Sequence, residues 1–166
     1  PMPGTFSAAN AVAALKVAEA LGIDLDTAIR ALGNLHTVRG RVERIQEGQN
    51  FIAVVDYAHT PDSLEALYGA FPQRKICVLG NTGGGRDQWK RPEMGAIADR
   101  MCAEVILTNE DPYDEDPEKI LSAMKAGMTR EPLVVLDRRD AIRTALSRAH
   151  KGDAVLITGK GTDPYI

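Results

Sequence analysis

Short apolar runs alternate with segments of helical periodicity from residue 40 to the end of the chain. The apolar runs predict strands, and the segments between them predict helices, several of which begin with proline in the first turn. The later runs are apolar on both faces, as in parallel strands covered by helices. The alternation predicts a doubly wound α/β fold with a mostly parallel sheet of about six strands. The predicted strands span 41–46, 51–56, 75–79, 105–108, 133–136 and 154–158, and the helices span 61–70, 92–101, 117–127 and 139–149.

A helical pattern precedes this domain. Alanines and aliphatic residues recur at helical spacing over 7–21, and Asp24 is a suitable N-cap for a second helix. We therefore expect a boundary between a helical segment, 1–39, and the α/β domain, 40–166. The chain stops directly after an apolar strand, so we expect a fragment of a longer protein that is truncated within its last domain.

Composition and cysteine placement limit the class of protein. Twenty lysines and arginines against 23 acidic residues give a net charge of -3, which excludes a bulk basic field for nucleic acid or an anionic membrane. No apolar run approaches the roughly 18 residues that span a bilayer, and the start lacks a signal-peptide pattern. Cys77 and Cys102 fall in segments predicted to be buried, in neither a disulfide framework nor a CxxC motif. These features predict reduced cysteines and a cytoplasmic protein.

In a doubly wound sheet, ligands bind in the loops that follow the strands. The glycine-rich loop contains residues 83–85 followed by Arg86, Asp87, Lys90 and Arg91. Glycines let a ligand approach the backbone, and guanidinium groups bind carboxylate or phosphate oxygens bidentately. The loop matches neither the P-loop nor the GxGxxG pattern. It predicts an anion site, and the alternative is a mobile surface loop with solvated charges.

A second polar loop follows the strand at 51–56. Its Asp56 ends an otherwise apolar run, and His59 comes three residues later. A carboxylate there can accept hydrogen bonds from ribose hydroxyls, and the imidazole can stack or form a hydrogen bond. The alternative is that Asp56 caps the helix that begins at Thr60 and Pro61.

A third loop, 110–116, is acidic. It can recognise an amino group or bind a divalent metal through oxygens, and the alternative is a solvated turn that leads into the helix at Pro117. No His and Cys residues have zinc-site spacing and no Ser/His/Asp motif is present, so covalent catalysis has no support. The carboxylates of this loop are Glu110, Asp111, Asp114, Glu115 and Asp116.

Six short motifs occur in the order found in one enzyme family. Residues 54–65, VVDYAHTPDSLE, resemble the DYAHTPD signature of Mur ligases, most closely in the branch of UDP-N-acetylmuramoyl-tripeptide synthetases. The other motifs are 4–10, which resembles GxFNxxN; 40–43, GRxE; 84–92, GDRDxxKRP; and 110–113 and 159–163, which stand where DNPR and GKGHE are usual.

The resemblance implies a ligase of three domains: one for a UDP-sugar substrate, a central ATPase with a P-loop, and a C-terminal Rossmann-like domain. The chain resembles the last helices of the central domain followed by most of the third. The implied reaction phosphorylates the carboxylate of a UDP-MurNAc dipeptide with ATP, and the amine of an amino acid then attacks the acyl phosphate. The implied setting is a cytoplasmic monomer of peptidoglycan synthesis that uses small-molecule substrates, with Mg²⁺ bound mostly by the central domain.

The resemblance also implies roles for particular residues. Those implied to contact ATP at its adenine, ribose and phosphate are Asn10, Arg41, Asp56 and His59. Those implied to bind the incoming amino acid are Arg86, Glu110, Asp111, Pro112, Tyr113, Gly159 and Asp163, with support from Asp87, Lys90 and Arg91. No catalytic residue is implied within this chain, because the P-loop, the catalytic glutamate and the carbamylated lysine of the family lie upstream, so the isolated chain is expected to be inactive.

Two departures from the family pattern concern the amino acid. Tyr113 stands where the diaminopimelate-adding enzymes have an arginine for the distal carboxylate, and Asp163 replaces the usual glutamate. The first departure argues against diaminopimelate, whereas lysine or another cationic amino acid fits the acidic loop. The alternatives are a ligase domain like that of cyanophycin or folylpolyglutamate synthetases, and a non-catalytic module that binds an amino acid or nucleotide.

Overall fold

The computed structural model describes residues 3–85 and 87–163. Every predicted helix and strand is present there, with its ends shifted by at most two residues. The elements are α1 (Thr5–Ala20), α2 (Leu25–Gly33), β1 (Glu43–Ile45), β2 (Ile52–Val55), α3 (Pro61–Gly69), β3 (Lys75–Leu79), α4 (Lys90–Met101), β4 (Glu104–Leu107), α5 (Pro117–Lys125), β5 (Leu133–Val134), α6 (Arg138–Arg148) and β6 (Ala154–Ile157).

The strands form one sheet in the order β1-β2-β6-β3-β4-β5. Strands β2 to β6 pair in parallel, and β1 pairs with β2 in antiparallel register, with Glu43 opposite Val55. A short connection suffices between antiparallel neighbours, whereas each parallel pair needs a crossover. The prediction of a mostly parallel, doubly wound α/β sheet is confirmed. The parallel strands therefore end at one edge of the sheet.

Helices cover both faces of the sheet. On one face, α3, α4 and α5 bury side chains such as Leu64, Tyr68 and Met94 against the strands. On the other face, α6 packs Ala141 and Ala145 against a smaller apolar cluster. The central strand β6 is buried along its whole length. Helices α1 and α2 pack against each other, and α1 contributes no fully buried residue.

Strand β5 differs from the expectation that the later strands are covered on both faces. Leu133 and Val134 are 42% and 45% exposed. The strand consists of two residues at the edge of the sheet and pairs only with β4. An edge strand has a neighbour on one side alone, so its apolar side chains are less fully enclosed than those of central strands.

The cysteines also differ from the expectation. Cys77 in β3 and Cys102, directly after α4, are joined by a disulfide with a Cα–Cα distance of 6.1 Å. Both are buried. Helix α4 is the crossover between β3 and β4, so its end returns to the sheet beside the strand that it left. A separation of 25 residues conceals this proximity in the sequence.

Arg91, at the start of α4, ties two strand-end loops together. It is 4% exposed, and its Nη1 and Nη2 donate to the Glu115 carboxylate at 2.9 and 3.1 Å. Its Nε donates to Asn81 Oδ1 at 3.1 Å. The same carboxylate accepts from the Gly85 amide at 2.6 Å. These hydrogen bonds, of which those from Arg91 have the largest effect, hold the pKa of Glu115 below its usual range. Arg91, at the basic end of the glycine-rich loop, is therefore paired within the protein with Glu115.

Asp99 ties α4 to the segment that follows α5. Its Oδ2 accepts from the backbone N–H of Thr129 at 2.8 Å and from the Thr129 hydroxyl at 2.6 Å. Its Oδ1 accepts from Arg130 Nε at 2.7 Å. Burial opposes ionisation of Asp99, but these hydrogen bonds outweigh it and lower the pKa to about 2. The carboxylate is therefore more stable in the folded chain than in the unfolded one.

Within 3–85 and 87–163, no helix is both long enough and apolar enough to cross a bilayer.

We predict that Arg91→Lys loosens the glycine-rich loop. Lysine keeps the charge but cannot bind Glu115 bidentately and reach Asn81 at once. Hydrogen exchange at the Gly85 amide should become roughly tenfold faster, as expected for a weakened charged hydrogen bond. The matched control is Arg100→Lys in the same helix, whose pair with Glu65 is exposed on both sides. Unchanged exchange at Gly85 in Arg91→Lys would show that the loop does not depend on this clamp.

We predict that Asp99→Asn destabilises the chain at neutral pH and has less effect in acid. The folded pKa lies below the ordinary value of 3.8, so the stabilisation by ionised Asp99 is complete above about pH 5 and is lost as the pH falls towards 2. The melting temperature of the variant should be roughly 5 °C lower at pH 6, and the difference should shrink towards pH 2. Glu65→Gln, in an exposed pair, is the control. A difference that is constant with pH would contradict the role of ionisation.

Candidate functional site

A cavity of about 990 Å³ lies between the helical pair and the end of β2. This volume is at the upper end of the range for small-molecule sites. Its lining comes from α1, the end of α2 and the segment after it, residues 41–42, the loop after β2 and α3. The residues that the family resemblance assigns to ATP all line it, and they are Asn10, Arg41, Asp56 and His59.

Asp56 organises the floor of this cavity. Its Oδ2 accepts from the Val42 amide at 2.7 Å, and its Oδ1 accepts from the Ala58 amide at 2.8 Å. The helix that follows is capped by Thr60, whose hydroxyl oxygen accepts from the Ser63 amide. The alternative in which Asp56 caps α3 is therefore wrong. Each carboxylate oxygen has a second lone pair, so Asp56 can still accept from a ligand hydroxyl.

Tyr57 joins two cavity residues, and the sequence reasoning did not single it out. The guanidinium carbon of Arg41 lies 4.5 Å from the centre of the Tyr57 ring. The rings of Tyr57 and His59 meet edge to face with centroids 4.8 Å apart. His59 Nδ1 lies 2.8 Å from the Tyr57 carbonyl oxygen, so an Nδ1–H donor leaves Nε2 as an acceptor. The signal in the sequence that could have identified Tyr57 is the position of an aromatic residue between the predicted site residues Asp56 and His59.

The glycine-rich and acidic loops meet at the ends of β3 and β4. The Gly83 amide donates to the Asp111 carbonyl at 2.7 Å, and the Thr82 hydroxyl donates to Glu110 Oε1 at 3.1 Å. A Cβ at Gly83 would lie 2.0 Å from the carbonyl oxygen of Pro112, so only glycine fits this contact. The structure thus brings together two loops that the sequence identified separately. Arg86 lies outside the described residues.

Glu110 is the buried member of the acidic loop. It is 2% exposed, and a Cβ at Gly159 would lie 2.0 Å from its Oε2. Burial raises the pKa of Glu110, and the charge of Arg138 and the Thr82 hydroxyl oppose that rise. Burial lowers the pKa of Arg138, and the negative charge of Glu110 opposes that decrease. Glu110 therefore lies beneath the loop surface, where it packs against the loop after β6.

Lys160 is a further residue that the sequence reasoning left out of the site. It follows β6, is 7% exposed, and its Nζ donates to Asp111 Oδ1 at 2.6 Å. The signal available in the sequence was a lysine after a predicted strand, facing an acidic loop at the same edge. Because Lys160 compensates Asp111, the acidic loop carries less unbalanced charge than its sequence indicates.

The remaining predicted residues surround this edge. Tyr113 is 71% exposed at φ 50°, and a Cβ at Gly84 would lie 3.6 Å from its ring. The Asp163 amide donates to the Lys160 carbonyl at 2.8 Å. Asp87 is exposed, with its carboxylate 4.0 Å from Lys90 Nζ. Among the residues described, no three His, Cys, Asp or Glu side chains group so as to hold a metal ion.

Comparison with known proteins identifies the family. The family model described as "Mur ligase, glutamate ligase domain" matches residues 40–161. The UDP-N-acetylmuramoyl-L-alanyl-D-glutamate--2,6-diaminopimelate ligase of Chlorobaculum tepidum is 45% identical over 99% of this chain and 34% of its own length. The same-named enzyme of Bacteroides fragilis is 40% identical over 98% of this chain and 35% of its own. The chain thus spans about a third of these relatives.

Solved structures of this family have the same fold. The solved structure of a UDP-N-acetylmuramoyl-L-alanyl-D-glutamate--2,6-diaminopimelate ligase has 37% sequence identity to this chain and a TM-score of 0.72. The match covers 99% of this chain and 35% of the ligase chain. A Mycobacterium tuberculosis folylpolyglutamate synthase, complexed with ADP and AMPPCP, is 27% identical with a TM-score of 0.73, and covers 96% of this chain and 38% of its own. The chain therefore belongs to the Mur ligase family, and its α/β unit is the C-terminal domain of that family.

Proposed function

We propose that this chain is part of an ATP-dependent amide ligase that adds an amino acid to UDP-MurNAc-L-Ala-D-Glu through an acyl phosphate during peptidoglycan synthesis. Its α/β unit binds the incoming amino acid and part of the ATP. The names of the relatives that are 40% to 45% identical support this substrate class. The folylpolyglutamate synthase is less similar, at 27%.

The observation that carries the proposal is the composition of the cavity. Its lining residues include all four that the family resemblance assigns to ATP. These are Asn10 from α1, Arg41 before β1, and Asp56 and His59 after β2. Asp56 offers acceptors for ribose hydroxyls, and Arg41 offers a cation for phosphate. Support also comes from the similar folylpolyglutamate synthase, which was solved with ADP and AMPPCP.

Residues 1–39 are proposed to belong to the preceding ATPase domain of the longer protein. Both helices and the turn between them expose aliphatic side chains, including Val17 at 60%, Leu21 at 73% and Leu25 at 59%. Exposed apolar groups in this number favour burial against further protein. The same preceding domain is proposed to supply the phosphate loop and to hold Mg²⁺, as the family resemblance implies.

The amino acid is proposed to bind where the glycine-rich and acidic loops meet. Arg86 would bind its carboxylate, and the exposed part of the acidic loop would face its ammonium group. Tyr113 lacks the positive charge that a distal carboxylate would bind, which argues against diaminopimelate, although that amino acid stands in the names of the relatives. Lysine or another cationic amino acid is the alternative that the acidic loop fits. The enzyme is proposed to act in the cytoplasm because ATP and a UDP-linked precursor are its proposed substrates; its cysteines do not support this, since Cys77 and Cys102 form a disulfide. It is also proposed to be a monomer, as the family resemblance implies.

We predict that Arg41→Met weakens ATP binding to the chain about tenfold, because one charge-assisted contact to phosphate is lost. Methionine keeps an apolar stem beside Tyr57. The measurement is calorimetric titration with ATP, and the control is Arg44→Met, an equal charge change on the exposed side of β1. Equal affinity in both variants would remove Arg41 from the ATP site. Steady turnover of ATP by the chain alone would contradict the assignment of catalysis to a preceding domain.

We predict that Tyr113→Arg shifts the amino-acid preference of the intact ligase towards diaminopimelate. The new guanidinium would supply the partner for the distal carboxylate, worth roughly tenfold or more in relative kcat/KM. The measurement is ligation of a panel of amino acids to UDP-MurNAc-L-Ala-D-Glu, with Tyr113→Phe as the control. An unchanged ranking would exclude Tyr113 from specificity. Transfer of glutamate to a folate by the parent would favour a folylpolyglutamate synthetase, and binding without ligation would favour a non-catalytic module.

A further inference from the structure

Tyr57 touches the nucleotide cavity on one side. Arg41 stacks on its ring at 4.5 Å, and His59 meets the ring edge to face at 4.8 Å. Both neighbours line the cavity, as Tyr57 itself does. A cation over an aromatic face is attracted by the ring, so the position of the Arg41 side chain depends on where the Tyr57 ring lies.

Tyr57 touches the loop after β6 on its other side. A Cβ at Gly161 would lie 2.9 Å from Tyr57 Cδ2 and 3.0 Å from Tyr57 Cβ. The same Cβ would lie 3.0 Å from the carbonyl oxygen of Gly40, the residue before Arg41. Gly161 has φ 51° and Gly40 has φ 66°, so both backbones occupy the left-handed region. The backbone at Gly161 therefore lies directly on Tyr57, without space for a methyl group.

The loop after β6 continues from Tyr57 to the proposed amino-acid site. Lys160, adjacent to Gly161, binds Asp111 at 2.6 Å. Gly159 packs against the Glu110 carboxylate closely enough to exclude a Cβ. The loop therefore contacts Tyr57 at Gly161 and the acidic loop at the two residues before it, Gly159 and Lys160. Contacts run without a gap from Arg41 through Tyr57 and Gly161 to Lys160 and Asp111.

We infer that Tyr57 is a positioning residue that couples nucleotide binding to amino-acid binding. A phosphate that engages Arg41 fixes the guanidinium and, through it, the Tyr57 ring. The fixed ring holds Gly161, and the Lys160–Asp111 pair next to it is then held in one arrangement beneath the exposed turn of the acidic loop. By linkage, an amino acid that orders the loop must tighten nucleotide binding by the same factor. The inference rests on the proposed function, since it assigns ATP and an amino acid to the two ends of this contact chain.

The competing explanation is that coupling arises only from closure of whole domains. Closure would act through surfaces of the longer protein and would not depend on one ring. Substitution of Tyr57 separates the two explanations, because Tyr57→Phe keeps the ring against Arg41 and Gly161 whereas Tyr57→Leu removes it. Leucine preserves an apolar side chain at this half-buried position, and a thermal melt checks that each variant is folded.

The test measures the affinity of the intact ligase for AMPPCP, without amino acid and with saturating L-lysine or diaminopimelate in separate titrations. In the parent, the amino acid that is incorporated should tighten AMPPCP binding about tenfold, within the usual range of coupling. Tyr57→Phe should retain this factor, and Tyr57→Leu should reduce it to less than about twofold. Gly161→Ala, which forces Tyr57 and the loop apart, should also reduce it.

The outcomes distinguish this inference from the proposed function. Retention of the full coupling factor in both folded Tyr57→Leu and Gly161→Ala would overturn the role of Tyr57 and leave the ligase assignment standing. A parent that binds AMPPCP and ligates an amino acid, but shows no coupling, would do the same. A parent that neither binds AMPPCP nor consumes an amino acid would overturn both.

Discussion

The close approach of strand-end backbones is the constraint on which the rest of the structure depends. Neighbouring parallel strands end at one edge, but their loops can meet only where no side chain intervenes. Gly83 lies against the Pro112 carbonyl, and Gly159 lies against the Glu110 carboxylate, each without room for a Cβ. Because the loops are in backbone contact, hydrogen bonds such as Gly83 N–H to Asp111 O can form. These two glycines are therefore required by the packing of the loops.

Charge compensation beneath these loops completes the scaffold. Asp111 pairs with Lys160, and Glu110 lies in the field of Arg138, whose Nη2 donates to the carbonyl of Thr158 at 2.6 Å. An uncompensated buried charge would be costly, so each acid stabilises the ionised form of a base contributed by another segment. The Asp111–Lys160 ion pair joins the segments after β4 and β6, and the Arg138–Thr158 hydrogen bond joins the segments after β5 and β6. The exposed part of the acidic loop is its turn, which includes Tyr113 and Asp114.

Hydrophobic runs and helix-start signals were sufficient to predict every element of the fold, because both are local. Contacts between distant segments were not predictable in this way. The Cys77–Cys102 bond depends on a crossover helix returning to its own strand, and the exposure of β5 depends on its place at the sheet edge. At the site, Asp56 was identified, but its bond to Val42 requires knowing that β1 folds back on β2. Lys160 and Tyr57 gained significance only from their neighbours in space.

The backbone of the acidic turn is independent of the side chain at its tip. The Glu115 amide donates to the Pro112 carbonyl at 2.9 Å, and the Glu115 carboxylate is held by Arg91 and the Gly85 amide. Tyr113 contributes to none of these bonds and projects into solvent from a turn that they already fix. A residue in that position can change without disturbing the loops. Under the proposed role of Tyr113, the amino-acid preference can therefore change while the hydrogen bonds that fix this turn stay the same.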